Sequence, residues 1–500
     1  MLDQSFSGSN FNIIFLIENR KGTIKKRHLN QEYFDKHNEF NSVLGDKINL
    51  KNLSLTKTLT PEELDSFAKK LDEINKEKEQ IRENLFFDYA QVVNDEKIPF
   101  CYEIKYDKQN EIYTTTKDGV HFFAIKQLQS NLRKTFKVIQ ADRNKIIKQT
   151  YNLLSDGFPK IIIRTDIAKF YESIPQDKLF EKVDNNTLLS PFSKKLLKRL
   201  FFEFEKIKDK TIMNPKKGVP RGLGISAYLS ELYMREIDNE IKLLPDIIYY
   251  ARYVDDIIAI FSPKTKSQIR DYQTEIKEIV KKGELEINDN LEGRKDKTQT
   301  IKLLNDRTKL KNCIENNELT FLGYSFNISH YPKYPKTESK LGLSQNRNLR
   351  YKNRLATAIE SYNKDSRYNE KFARKLLFDR LKFLTGNYHL NHNKKNICSG
   401  IFYSNKMLEL TGFTESMTIL NTELHNAVDR IKFLVATKLD DETNFKKFIK
   451  SKFCFEKGFS DKENNFYSFK FSLQEQVYYN RKFKKVTNKF EVIKSIWKDE

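Results

Sequence analysis

Ile247-Ile248-Tyr249-Tyr250-Ala251-Arg252-Tyr253-Val254-Asp255-Asp256-Ile257-Ile258-Ala259-Ile260-Phe261 is the stretch whose reading decides the fold. Two β-branched and aromatic runs flank a pair of adjacent acids, and each run reads as a buried strand. Strand, two acids, strand is a hairpin with carboxylates at its tip. Unpaired charges between apolar strands are costly, and a divalent cation is the natural compensation. Another apolar strand, Lys160-Ile161-Ile162-Ile163-Arg164-Thr165-Asp166-Ile167, also ends in an acid. Asp166 precedes the pair by about ninety residues, room for a helical connection that sets the strands side by side. Three converging carboxylates form a ligand set for two Mg²⁺ ions, as in two-metal phosphoryl and nucleotidyl transfer.

Further blocks follow in order. Asp166-Ile167-Ala168-Lys169-Phe170-Tyr171-Glu172-Ser173-Ile174 opens the series. Gly218-Val219-Pro220-Arg221-Gly222-Leu223-Gly224-Ile225-Ser226 comes next, then Tyr253 to Asp256. Leu285 to Thr298, ending in Lys297-Thr298, and Phe321-Leu322-Gly323-Tyr324 complete it. Together these resemble the palm of the reverse transcriptases: catalytic block, template and nucleotide block, Tyr-x-Asp-Asp box, following palm block and primer-grip hairpin. The resemblance implies Asp166, Asp255 and Asp256 as catalytic residues, and these three with Ile167 as the metal site. It implies Mg²⁺ as cofactor and dNTPs as substrate.

The same resemblance sets Phe170, Tyr171, Arg221, Gly222 and Lys297 at the nucleotide. Tyr171 is then an aromatic under the sugar that screens out a 2′-hydroxyl; the alternative is a plain core tyrosine. Gly222 and Gly224 let backbone approach a nucleotide, or simply make a turn before a helix over Ser226 to Leu243. Many relatives carry Gln at the position of Arg221 and Pro at that of Gly224; an Arg there is a fixed cation able to meet phosphate or template. Lys297 is either a site residue or surface charge.

The 500-residue chain has a net charge of +22, which suits a polyanionic partner. Its 24 Tyr and 38 Phe supply both core and base-stacking rings. Cys101, Cys313, Cys398 and Cys454 form no CxxC pair or disulfide framework, which fits a reducing cytoplasm. His389 and His392 lack a partnering metal pattern. No apolar run reaches membrane-spanning length, and the N-terminus has no signal-peptide core.

Residues 1–150 read as an N-terminal helical segment with fingers. A long helix starts at Thr60-Pro61 and runs to Asn84, and a short hairpin falls within 100–125. Ser130 to Lys148 is dense in cations; Arg133 and Arg143 are the expected triphosphate contacts, or else part of a solvated basic face. Residues 151–330 are the palm. His330 to Lys340 reads as a Pro- and Lys-rich linker. Residues 343–500 read as helical, with helices over Leu349 to Leu384 and Met407 to Leu439, and with α-solenoid stacking as one arrangement.

The expected class is α+β: right-hand polymerase fingers and palm, then an all-helical C-terminal domain in place of the usual thumb. Phe383 to Tyr388 with Ile397 to Asn405, Phe170-Tyr171, and Arg221 to Gly224 resemble the abortive-infection and related defence-associated reverse transcriptases of bacteria. That subgroup implies a cytoplasmic bacterial enzyme in antiphage defence, a homo-oligomer working with template or noncoding RNA and a DNA product. It also implies priming from a protein tyrosine, with Tyr478 and Tyr479 as candidates. The alternatives are an ordinary primer-extending cDNA synthase and a non-catalytic RNA-binding scaffold.

Overall fold

The computed structural model describes residues 2–53, 60–107, 111–208, 216–289, 297–334, 336–390, 397–411, 415–432, 439–483 and 488–497. Residues 290–296 of the Leu285 to Thr298 block, and His392, lie outside the described residues. The chain begins with helices α1 (Gly8–Lys21), α2 (Gln31–Leu53) and α3 (Pro61–Asn94). The sequence signal for α3 holds: Thr60 Oγ1 accepts from the Glu63 amide, the Glu63 carboxylate accepts from the Thr60 amide, and Pro61 opens the helix. The helix outruns its expected end at Asn84 by ten residues.

A hairpin of β1 (Ile104–Asp107) and β2 (Ile112–Thr115) leads to α4 (Gly119–Thr135) and α5 (Arg143–Ser155). Next come β3 (Lys160–Asp166), α6 (Phe170–Ser173), α7 (Gln176–Asp184), α8 (Pro191–Ile207) and α9 (Gly224–Lys242). The acid-tipped hairpin is β4 (Ile247–Tyr253) and β5 (Asp256–Phe261), followed by α10 (Tyr272–Lys282) and β6 (Gln299–Leu303).

Strands β4, β5, β3 and β6 form, in that order, one antiparallel sheet. Its continuous apolar runs are explained by burial on both faces. Ile161, Ile163, Ile257, Ala259 and Phe261 join the core built with α4, α8, α9 and α10. The alternate residues Ile162, Ile258, Ile260, Ile301 and Leu303 join a second core shared with α5 and the C-terminal half.

Beyond the sheet, β7 (Glu315–Phe321), β8 (Tyr324–Tyr331) and β9 (Lys336–Leu343) form a second antiparallel sheet. This corrects the linker expected over His330 to Lys340: the segment is the end of β8 and most of β9. Its inward positions include Thr337 and Ser339, and buried His330 contacts Thr337 Oγ1 through Nδ1. The polar character of those inward residues hides the strand.

The 41-residue α11 (Gln345–Thr385) follows, interrupted at Asn369, where φ is −156° and ψ is 92°. The Asn369 side chain then caps the second half by accepting from the Phe372 amide at 3.2 Å. Strands β10 (Asn387–His389) and β11 (Cys398–Gly400) come next, then helices α12 (Ile401–Ser404), α13 (Glu415–Asp429), α14 (Leu439–Lys452) and α15 (Phe455–Ser460). Strand β12 (Phe466–Tyr467) and helices α16 (Leu473–Phe483) and α17 (Lys489–Lys494) complete the described elements. Helices α13, α15 and α17 pack on α11, and β11, β10 and β12 form a small sheet beside it. This differs from a purely helical solenoid; strands of two or three residues are too short to show a period in sequence. Among the described residues, no helix is long and apolar enough to cross a membrane.

Candidate active site

The site starts from strand register. Asp166 pairs with Asp256 across β3 and β5, and Tyr253 pairs with Asp256 across β4 and β5. Val254 and Asp255 therefore form the turn. Val254 has φ +60°, a left-handed conformation that a β-branched residue rarely adopts. Such strain persists where the surroundings hold it, and here Arg252 Nη1 donates to the Val254 carbonyl at 2.7 Å. The Arg252 guanidinium is buried against α9, bonded to Glu231 through Nη1 and Nη2 and to Asp238 through Nε and Nη2. The Ile167 amide donates to the Asp255 carbonyl at 3.1 Å, and the Asn288 amide donates to the Asp166 carbonyl at 2.8 Å. The expected acids thus share one end of the sheet.

Cations stand beside these acids. Lys297 Nζ lies 2.6 Å from Asp166 Oδ2, and Arg164 Nη2 lies 2.7 Å from Asp256 Oδ1. Burial raises the Asp255 pKa, and the charge of Asp166 adds to the rise. Burial also raises that of Asp256; Arg164 opposes this, and Asp255 and Asp166 reinforce it. Among the described residues, no group of three or more His, Cys, Asp or Glu stands ready to hold a metal ion. Two observations nonetheless fit a hard cation: Asp166 Oδ1 is buried without a hydrogen-bond partner, and the neighbouring acids carry charge that burial disfavours.

A cavity of about 660 Å³ opens in front of the acids, lined also by Ile167, Phe170, Tyr171, Arg221, Lys297 and Leu322. Tyr171 is half-buried; burial, then the Asp255 charge, raises its pKa. Phe170 is 4 % exposed and belongs to the core beneath. Arg221 is half-exposed at the lip, 3.8 Å from Glu172. Lys297 is half-exposed, with its ammonium on Asp166. Gly222 lies in a closely packed loop. Its φ is +97°, and a Cβ there would meet Ile112 and the Tyr113 carbonyl at 2.8 and 2.9 Å. The glycine lets the β1–β2 hairpin close onto this loop, where the Tyr113 amide donates to the Arg221 carbonyl at 2.7 Å.

Other expected site residues fall elsewhere. Arg133 lines a separate basic cleft with Lys134, Lys137 and Tyr228. Arg143 bonds the Leu322 carbonyl and lies 5.1 Å from the Tyr324 ring centroid, so it braces the β7–β8 turn. Tyr479 is 2 % exposed, and Tyr478 stacks on Phe372 of α11 at 4.2 Å. The Tyr479 ring is core, and the Tyr478 ring is partly buried against it. Sequence reasoning missed Arg164 and Arg252. The available signal was a charged residue inside each otherwise apolar strand.

Residues 110–326 match the reverse transcriptase (RNA-dependent DNA polymerase) family. No curated protein matches the chain. Among solved structures, apo telomerase from Candida tropicalis truncated from its C-terminal domain is 17% identical with a TM-score of 0.27, over 43% of this chain and 44% of that one. Telomerase from Candida albicans in complex with a TWJ fragment of telomeric RNA is 12% identical with a TM-score of 0.29, over 75% and 56%. Telomerase from Candida tropicalis with the same type of fragment is 16% identical with a TM-score of 0.28, over 65% and 56%. The chain thus spans about half the length of the solved relatives it matches, at scores too low to speak to shared architecture. Residues 110–326 thus carry a reverse transcriptase (RNA-dependent DNA polymerase) domain.

Proposed function

We propose that the whole chain synthesises DNA from dNTPs on an RNA template, with Asp166, Asp255 and Asp256 as its catalytic residues. The observation that carries this reading is the register that puts Asp166 opposite Asp256, with Asp255 in the adjoining strained turn. Mg²⁺ ions held by the three carboxylates, with Ile167 beside them, would supply activation of the 3′-hydroxyl and neutralisation of the triphosphate. The protein's part is positioning. Arg252 holds the turn, Arg164 and Lys297 hold the acids, and the proposed sugar screen is Tyr171, which lines the cleft. Arg221 and Lys297 offer charge to the triphosphate, and Arg133 with Lys137 offers a basic surface to the template.

The biological role we propose is antiphage defence in a bacterial cytoplasm, as a homo-oligomer with an RNA partner. Its support is the resemblance of Phe170-Tyr171, Arg221 to Gly224 and Phe383 to Tyr388 to that subgroup. The packing of Tyr478 and Tyr479 favours an ordinary 3′-hydroxyl primer over either tyrosine. The test is primer extension on an RNA template beside phage plating, each with wild type and Asp255→Asn. Extension lost in the variant supports the catalytic reading; full extension by it overturns that reading. Protection retained by the inactive variant would point to the scaffold instead.

A further inference from the structure

A second cavity, of about 290 Å³, lies in the C-terminal half where α11, β10, β11 and the segment after α17 meet. Its wall is aromatic. Phe383 stacks on Tyr388 at 4.8 Å and on Trp497 at 5.8 Å between ring centroids. Its rim is cationic and polar. Arg354 lies 5.8 Å from the Trp497 ring centroid, Lys494 lies 5.2 Å from that of Phe383, and Tyr351 adds a hydroxyl. Among the described residues that line the cavity, none is acidic. Burial lowers the Lys494 pKa, and the charge of Arg354 adds to the fall. The volume, about 290 Å³, lies just below the roughly 300–1,000 Å³ of small-ligand sites, which leaves room for one nucleotide and excludes a duplex.

A series of side-chain contacts runs from the cleft in front of the acids to this cavity. Leu322 lines that cleft and its carbonyl accepts from Arg143. Tyr324, just beyond the turn, is flanked by Arg143 at 5.1 Å and Arg347 at 5.2 Å. Arg347 Nη2 also donates to the Ser404 carbonyl at 3.3 Å, and Ser404 lines the second cavity. Arg347, Tyr351 and Arg354 are spaced i, i+4, i+7 along α11 and share a face, a span of about 10 Å. Alternating guanidinium and ring groups are the chemistry that tracks a single nucleic-acid strand.

We propose that this cavity binds one nucleotide, its base against the Phe383, Tyr388 and Trp497 wall and its phosphate at Arg354 and Lys494. The nucleotide is either a free mononucleotide or one residue of a single strand. The inference rests on the polymerase reading only for the strand that α11 would lead into the cavity.

Trp497 is the chain's single tryptophan, so its fluorescence, excited selectively, reports this site. The full chain, without divalent metal, is titrated with AMP, with a single-stranded oligonucleotide, and with ribose 5-phosphate as a base-free control. Saturable quenching by AMP or the oligonucleotide, and not by the control, is expected; which of the two quenches identifies the source. Arg354→Gln/Lys494→Gln should raise the half-saturating concentration at least about tenfold, while Asp255→Asn should leave it unchanged. No saturable change with either ligand overturns the site. So does an unaltered titration in the double variant, provided its ligand-free emission spectrum matches wild type. Primer extension by the same preparation reports the palm separately: extension without quenching rejects the cavity alone, and quenching without extension rejects the polymerase reading alone.

Discussion

Arg252 holds the carbonyl of Val254, donating to it at 2.7 Å from a guanidinium that is otherwise committed to Glu231 and Asp238 on α9. The strained turn between β4 and β5 is thereby tied to α9. A Lys at this position has one ammonium where Arg has a planar fork, and it cannot meet both carboxylates and the carbonyl together. Arg252→Lys should therefore lower kcat about tenfold or more with little change in the KM for dNTP. Arg252→Met, which strands two carboxylates, should destabilise the fold by about 3–5 kcal/mol. Steady-state kinetics and urea unfolding check the two outcomes; full activity in Arg252→Lys would remove the positioning role.

The raised pKa values of Asp255 and Asp256 give a second prediction. A carboxyl raised above its ordinary 3.8 is charged at a cost in the folded state at neutral pH. As pH falls, the folded protein takes up that proton before the unfolded chain does, and this contribution moves in favour of folding. A bound divalent cation should relieve the same cost at neutral pH. Mg²⁺ should thus raise the melting temperature at pH 7 and do so less at pH 5, and Asp255→Asn/Asp256→Asn should show little Mg²⁺ response. The measurement is thermal unfolding with Mg²⁺ or EDTA; an equal Mg²⁺ shift in the double variant would place the ion elsewhere.

Tyr171 lines the cleft, and its hydroxyl environment includes the Asp255 charge. Removing the ring in Tyr171→Ala should raise NTP incorporation relative to dNTP by about tenfold or more, the scale of a lost steric contact at a reacting sugar. Phe170 is core, so Phe170→Ala should instead cost about 3–5 kcal/mol of stability. An unchanged incorporation ratio in Tyr171→Ala would return that ring to a structural role.

The contrast between these neighbouring rings shows how far the sequence could be read. The sheet was legible because both its faces are buried, so β5 is apolar from Ile257 to Phe261 and β3 carries the apolar run Ile161–Ile163 ahead of Arg164, Thr165 and Asp166. The helix start at Thr60 was legible because its hydrogen bonds are local. The β8–β9 hairpin was not, since Thr337 and Ser339 fill inward positions that an apolar residue would have advertised. Charge density alone could not separate Arg133, exposed at its own cleft, from Arg143, packed on Tyr324. The stacking of Tyr478 could not be read because its partner Phe372 is about a hundred residues away in sequence.

Gly222 offers a test of the β1–β2 hairpin. Ala at φ +97° is strained, and its Cβ would overlap Ile112 and the Tyr113 carbonyl. Gly222→Ala should release the β1–β2 hairpin from the Arg221 loop and cost about 1–3 kcal/mol. Faster proteolytic cleavage within 100–118, with the rest of the chain resistant, is the expected readout. Uniform cleavage along the chain would mean that the hairpin is not a separate opening unit.

The last prediction concerns acid stability of the C-terminal half. Glu475 of α16 is 1 % exposed; Lys489 and Lys375 each lie 3.0 Å from its carboxylate. Burial alone would raise its pKa, but the Ser472 amide and hydroxyl and the two lysines outweigh that and lower it from 4.5 to about 2. A depressed carboxyl stabilises the fold above its unfolded value, and this contribution fades as pH falls from 4.5 towards 2. Asp379 of α11 shares the Lys489 ammonium at 2.7 Å, but burial raises its pKa, so its own contribution runs the other way and partly offsets the loss. Glu475→Gln should therefore cost about 2 kcal/mol at pH 7 and progressively less at pH 4 and pH 3. The difference in urea midpoint between wild type and variant, followed across that range, measures it. A difference that stays constant with pH would assign the effect of Glu475 to packing and hydrogen bonds rather than to its charge between α11, α16 and α17.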